Sequence, residues 1–320
     1  MTPSRRTVLG AVAALPLATM TMAAQSGWDE TIALWPGAAP GTPARLPVGR
    51  IEQRSSDPAF NDRWLTGIAR PTLMVRRPAI PNGMAVLIVP GGGYGFLSID
   101  NEGEEQARWL TALGVTCYIL SYRLPGEGWA ERARVPLQDA QRAMRVIRSR
   151  AAADRIDPDR IAVLGFSAGG HLAGSLATRH AEPLYAPVDA ADRLPAHPAL
   201  AGLIYPVVSL AAPFTHPGSR DALLGDGSNS AQRSAASVET RVTAGTSPIF
   251  LAHAADDGLV PIANSIALYQ AMLAKQRDAE FHGFDRGGHG FGVRLPKSVP
   301  ASGWPGLFTA YARRLGLLPS

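Results

Sequence analysis

From residue 71 onward the chain alternates between two hydrophobic periods. Short β-branched and aliphatic runs occur at 72–75, 85–89, 115–121, 161–165, 200–208, 249–253 and 279–284, and they predict strands. Between most of them apolar residues recur every three to four positions, predicting helices over 104–113, 137–153, 169–179 and 261–276, with a last amphipathic helix over 304–315. Strands that alternate with helices predict an α/β fold, a mostly parallel sheet flanked by helices on both faces. The segment before this pattern, 28–70, is rich in Pro and Gly and without steady period, so it is expected to be an extended arm laid over the domain.

Composition agrees with one packed core. Of 320 residues 46% are hydrophobic and 18% charged, and no Pro/Ser-rich or charged linker divides the chain, so a single domain over 71–320 is expected, preceded by an arm over 25–70. The net charge of +5 comes mainly from arginine. Its densest run, Arg142 to Arg150, shares a predicted helix with the apolar face Ala140, Ala143, Met144 and Ile147, so these arginines are expected to form a solvated outer face. Without interleaved aromatics the run does not point to nucleic acid.

Residues 1–24 read as an export signal: Arg5 and Arg6 open it, an apolar stretch follows from Val8 to Met22, and Ala23 and Ala24 close it. The arginine pair after Ser4 resembles a twin-arginine signal, with Val8 standing where that motif prefers phenylalanine, so the general secretory route stays open. The apolar stretch is shorter than the roughly 18–20 residues that span a bilayer, so a periplasmic or secreted protein without stable membrane insertion is expected. The single cysteine, Cys117, lies in an apolar run and reads as a core residue.

Parallel sheets place ligands beyond the carboxyl ends of their strands, and three motifs fall there. Gly165-Phe166-Ser167-Ala168-Gly169 follows the strand at 161–165 and opens a helix, the context of a nucleophile elbow. A serine hydroxyl needs a base and a carboxylate that orients it, and in this fold they follow in the order Ser, acid, His. Asp257 follows the strand at 249–253 and begins a DxxVP pattern, which favours it over Asp256; His289 follows the last strand within Gly287-Gly288-His289-Gly290. His171, His253 and His282 read as structural. Pro90-Gly91-Gly92-Gly93-Tyr94 resembles the HGGG oxyanion motif, so backbone N–H groups of Gly92 or Gly93, with Ala168, are the expected oxyanion donors. No lysine follows these glycines as a phosphate-binding loop requires, and no HExxH or cysteine pair suggests a metal. No cofactor is expected.

Taken with Leu34-Trp35-Pro36-Gly37, Glu102-Gly103, Ser121-Tyr122-Arg123-Leu124, Asp139, Arg142, Ala143, Tyr205-Pro206-Val207 and Leu223-Leu224-Gly225, these motifs make most of the chain resemble the bacterial acetylxylan-esterase-like carbohydrate esterases of the α/β-hydrolase superfamily. The resemblance implies an α/β-hydrolase fold and hydrolysis of short acyl esters, acetyl groups on plant polysaccharides or oligosaccharides among them. Tyr94 and Tyr205, within the matching stretches, are expected to bind substrate. Three rival readings remain: a serine peptidase, disfavoured by a pre-catalytic segment too short for a propeller; a lipase, disfavoured by the polar stretch 212–246 where a lid would lie; and a hydrolase that has become a binding module, disfavoured by its filled catalytic positions.

Overall fold

The computed structural model describes residues 28–57 and 59–319; the export signal expected over 1–24 lies outside the described residues. Eight strands form the central sheet: β1 Glu30–Ala33, β2 Thr72–Arg76, β3 Ala85–Val89, β4 Thr116–Ser121, β5 Ile161–Phe166, β6 Ala201–Ile204, β7 Ile249–Ala254 and β8 Ala279–Phe284. Their spatial order is β1-β2-β4-β3-β5-β6-β7-β8. β2 runs antiparallel to both β1 and β4, and every other neighbouring pair is parallel. Strands β3 to β7 are buried along their whole length, as a parallel sheet covered on both faces requires.

The period of two sorts each strand between two cores. Ala85, Leu87 and Val89 of β3 face one apolar cluster, joined by Ala140, Met144 and Ile147 of helix α2 (Val135–Ser149) and Leu172 and Leu176 of α3 (Ser167–Arg179). Val86 and Ile88 face the other, with Ala107 and Leu110 of the earlier helix α1 (Glu105–Thr111). A segment between β6 and β7 carries α4 (Pro217–Leu224) and α5 (Ser230–Ala236), and α6 (Ala263–Ala274) joins β7 to β8. The last helix, α7 (Trp304–Arg314), adds Trp304 and Phe308 to the second core. Cys117 is fully buried there, and burial raises its thiol pKa far above the ordinary range.

Three expectations change. Residues 28–70 do not merely lie over a finished domain: β1 is the edge strand of the main sheet, and Arg63–Thr66 pairs with both Arg50–Gln53 and Leu97–Ser98 in a small antiparallel sheet. Their short strands alternate too briefly to show a period. The arginines of α2 are not a solvated face. Arg142 is 3% exposed and pairs with Asp189 and Asp192, while Arg145 and Arg148 donate to the carbonyls of Leu194 and His197. The chain after α3 folds back over them and supplies acceptors that no local pattern reveals. Finally, the strand expected to reach residue 208 stops at Ile204, because Tyr205 takes a left-handed φ of 38° and Pro206 has no N–H to donate.

Candidate active site

The turn from β5 into α3 is held by close approach. A Cβ on Gly165 would sit 2.3 Å from the carbonyl oxygen of Gly169, and one on Gly169 would sit 2.2 Å from that of Val89, so only glycine fits at either place. Between them Ser167 takes a φ of 52°, a left-handed conformation rare for a side-chain-bearing residue. Such strain persists only where surrounding structure enforces it, and it is concentrated at functional sites.

The Oγ of Ser167 lies 2.9 Å from Nε2 of His289, and Nδ1 of His289 lies 2.7 Å from Oδ2 of Asp257. A carboxylate only accepts, so Nδ1 carries the proton and Nε2 accepts from the serine hydroxyl. Three residues from the ends of β5, β7 and β8 thus form one hydrogen-bonded chain. Asp257 also takes the N–H groups of Leu259 and Val260 on Oδ1, at 2.9 and 2.8 Å, and Nε2–H of His253 on Oδ2 at 3.2 Å. Burial alone would raise its pKa, but the bonds from His253 and His289 hold it well below the usual carboxylate range. Asp256 points elsewhere: its Oδ1 accepts the N–H groups of Gly287 and Gly288, steadying the loop that carries His289.

Gly92 and Gly93 face the same cleft as Ser167 and His289. Gly91 already donates its N–H to Glu102, 2.8 Å away, whereas among the described residues no acceptor takes the N–H of Gly92 or Gly93. Ala168 follows Ser167 at the start of α3, where backbone N–H groups lack partners within the helix.

The two tyrosines expected to bind substrate do not line the cleft. Tyr94 is 2% exposed and donates its hydroxyl to Nδ1 of His171 at 2.7 Å, while Nε2–H of His171 is bonded to the carbonyl of Ala236 at 2.9 Å. Tyr205 is fully buried; its ring packs 4.9 Å from that of His289 and its hydroxyl donates to Glu102. Tyr94 follows the glycine run after β3 and Tyr205 precedes Pro206 at the end of β6, so sequence placed both beside the site, but their hydroxyls are taken by His171 and Glu102 beneath the cleft.

The buried His171 yields a stability prediction. Burial lowers its pKa from 6.5 to about 4, so between these values the unfolded chain takes up a proton that the folded chain does not. Stability contributed here is complete above pH 6.5 and is lost as pH falls towards 4, by about 3 kcal/mol. Melting curves from pH 7.5 to 4 should fall less steeply for His171→Gln than for the wild type; parallel curves would contradict this origin.

The cleft encloses about 440 Å³. One wall comes from the N-terminal segment, where Trp64 stacks on Phe96 at a centroid distance of 3.7 Å under the guanidinium of Arg54. Arg294 closes that wall by pairing with Asp62 and Glu105. The opposite wall carries His216, whose Nδ1 accepts the N–H of Ser219 at 3.2 Å; burial and then the nearness of His289 lower its pKa. None of these wall residues was foreseen, since each becomes part of a site only through tertiary contact.

Sheet order, elbow and strand-end triad geometry together define an α/β-hydrolase. The chain belongs to the BD-FAE family, whose model matches residues 78–272. It is 31% identical over 219 residues to an acetylxylan esterase of Xylanibacter ruminicola, a match covering 67% of this chain but 42% of that relative. It is also 32% identical over 227 residues to endo-1,4-beta-xylanase B of Butyrivibrio fibrisolvens, over 69% of this chain and 34% of the relative. The chain therefore spans less than half the length of either. Among solved structures, an acetyl ester-xyloside bifunctional hydrolase from Caldicellulosiruptor lactoaceticus superposes with a TM-score of 0.71 at 31% identity, covering 91% of this chain and 97% of that one.

Proposed function

We propose that this protein is a serine esterase that removes short acyl groups, acetyl above all, from carbohydrates. The observation that carries the reading is the continuous chain from Ser167 through His289 to Asp257, with the serine held in a strained elbow. In this reading His289 takes the Ser167 proton as Oγ attacks the ester carbonyl, and Asp257 steadies the imidazolium that forms. The oxyanion is met by N–H groups of Ala168 and of Gly92 or Gly93. His289 then protonates the departing alcohol, and water releases the acyl group from Ser167 by the same steps in reverse roles. The names of the relatives support an acetylated sugar as the alcohol partner. The signal-like pattern of residues 1–24 supports export, and no described helix is long and apolar enough to cross a membrane.

Purified protein should hydrolyse p-nitrophenyl acetate faster than the octanoate, and should release acetate from acetylated xylan fragments in preference to acetylated mannan or pectin. Preference for long acyl chains, or cleavage of peptides instead of esters, would refute the reading. Paraoxon should inactivate the protein at one equivalent per chain, and EDTA should leave it active, since the described residues hold no cluster of His, Cys, Asp or Glu suited to a metal. Loss of activity in EDTA that a divalent ion restores would count against the mechanism.

A further inference from the structure

The five residues Asp100–Glu104 form a single π-helical turn, a rare conformation found mostly at functional sites, and all five are buried. Acids occupy its first, third and fifth places. Asp100 is matched by a two-pronged contact with Arg63, and Glu104 by Arg76 and Arg108. Glu102 is different. It is 4% exposed, and among the described residues no cation lies within ion-pair reach of it.

Its two oxygens are instead given to backbone and tyrosine. Oε2 accepts the N–H of Gly91 at 2.8 Å, and Oε1 accepts the hydroxyl of Tyr205 at 2.9 Å. The Tyr205 oxygen in turn accepts the N–H of Gly292 at 3.1 Å. Gly91 directly precedes the Gly92–Gly93 pair, and Gly292 lies three residues after His289. One buried carboxyl therefore joins the loop after β3 to the loop after β8, through a tyrosine at the end of β6 that is itself bent to a φ of 38°. A buried carboxyl without a cation is costly to keep, and an apolar side chain would fill the space more cheaply if packing were its only use.

We infer that Glu102 is a positioning residue of the esterase site: through Gly91 and Tyr205 it sets the distance between the oxyanion glycines and His289. The neighbouring Asn101 reinforces the link by donating its side-chain N–H to the carbonyl of Gly290 at 2.7 Å. Glu102 lines the floor of the cleft, but among the described residues it makes no hydrogen bond to Ser167, His289 or Asp257, and its bonds run to the two loops. The inference rests on the esterase reading above.

In Glu102→Gln an amide oxygen kept on the N–H of Gly91 leaves a donor NH₂ facing Tyr205, so the Tyr205 hydroxyl loses its acceptor. This variant should lower kcat on p-nitrophenyl acetate about 10- to 100-fold, the scale of a small misplacement of catalytic groups, while KM stays within about threefold. Tyr205→Phe keeps the ring against His289 and removes only the hydroxyl; it should fall in the same range and serves equally if Glu102→Gln does not fold. Because both break one linkage, the double variant should lose no more than about threefold beyond the worse single variant. Paraoxon titration separates positioning from folding: every variant should still release one nitrophenolate per chain, more slowly. Multiplying losses in the double variant, a rise in KM alone, or a fall in titratable sites that matches the fall in rate would each overturn the proposal. A wild-type chain inert to both acetate ester and paraoxon would overturn the esterase reading first, and this role with it.

Discussion

Ser167→Ala should leave a folded protein whose kcat on an acetate ester is lower by about 10⁵- to 10⁶-fold, the general scale for loss of a triad nucleophile. Alanine keeps the Cβ and the same strained turn, so the elbow loses one hydrogen bond and no packing. Nothing else in the cleft can take over. His289 has a single oxygen at its Nε2, that of Ser167, and Ser98 and Ser219, the serines nearest the walls, have no bond to it among the described residues. A steady-state assay with a mass check for contaminating wild type measures this; retention of more than about a tenth of kcat would move the nucleophile elsewhere.

The second large effect separates two adjacent aspartates. In Asp257→Asn the amide oxygen is expected to stay with the N–H groups of Leu259 and Val260, which turns the amide NH₂ towards His289. Nδ1 can then no longer donate, the proton moves to Nε2, and the imidazole presents the wrong tautomer to Ser167. The expected loss in kcat is about 10³- to 10⁴-fold with little change in KM. Asp256→Asn should cost less than about tenfold, because its carbonyl oxygen can still accept from Gly287 and Gly288. Side-by-side kinetics on one chromogenic ester decide it, and a crippled Asp256 variant beside a healthy Asp257 variant would reverse the assignment.

Much of the sheet was legible because strands buried on both faces are continuous apolar runs. Val86 to Val89 and Ala162 to Leu164 have no competing period. The elbow was legible for a related reason: a strained serine between two contacts closer than a Cβ allows needs glycines at fixed offsets, and those offsets survive in the sequence. What was hidden depends on partners far along the chain. Arg142 looks solvated until Asp189 and Asp192 fold over it, and Tyr94 looks like a cleft residue until His171 takes its hydroxyl. Trp64 and Arg54 sit in a stretch without period, and Glu102 was visible only as part of a resemblance, with nothing local to say that Gly91 and Tyr205 would claim it.

The pairing of Arg294 with Asp62 bears on how the molecule comes into being. These residues are 232 positions apart, and Arg294 also holds Glu105, 189 positions away. During synthesis the first six strands of the sheet can emerge and pair long before Arg294 leaves the ribosome, yet the cleft wall and the His289 loop wait for it. Secondary structure and catalytic competence are thus acquired at different times. Refolding followed by circular dichroism should run ahead of refolding followed by ester turnover, and the interval between the two traces would report the closing of that wall.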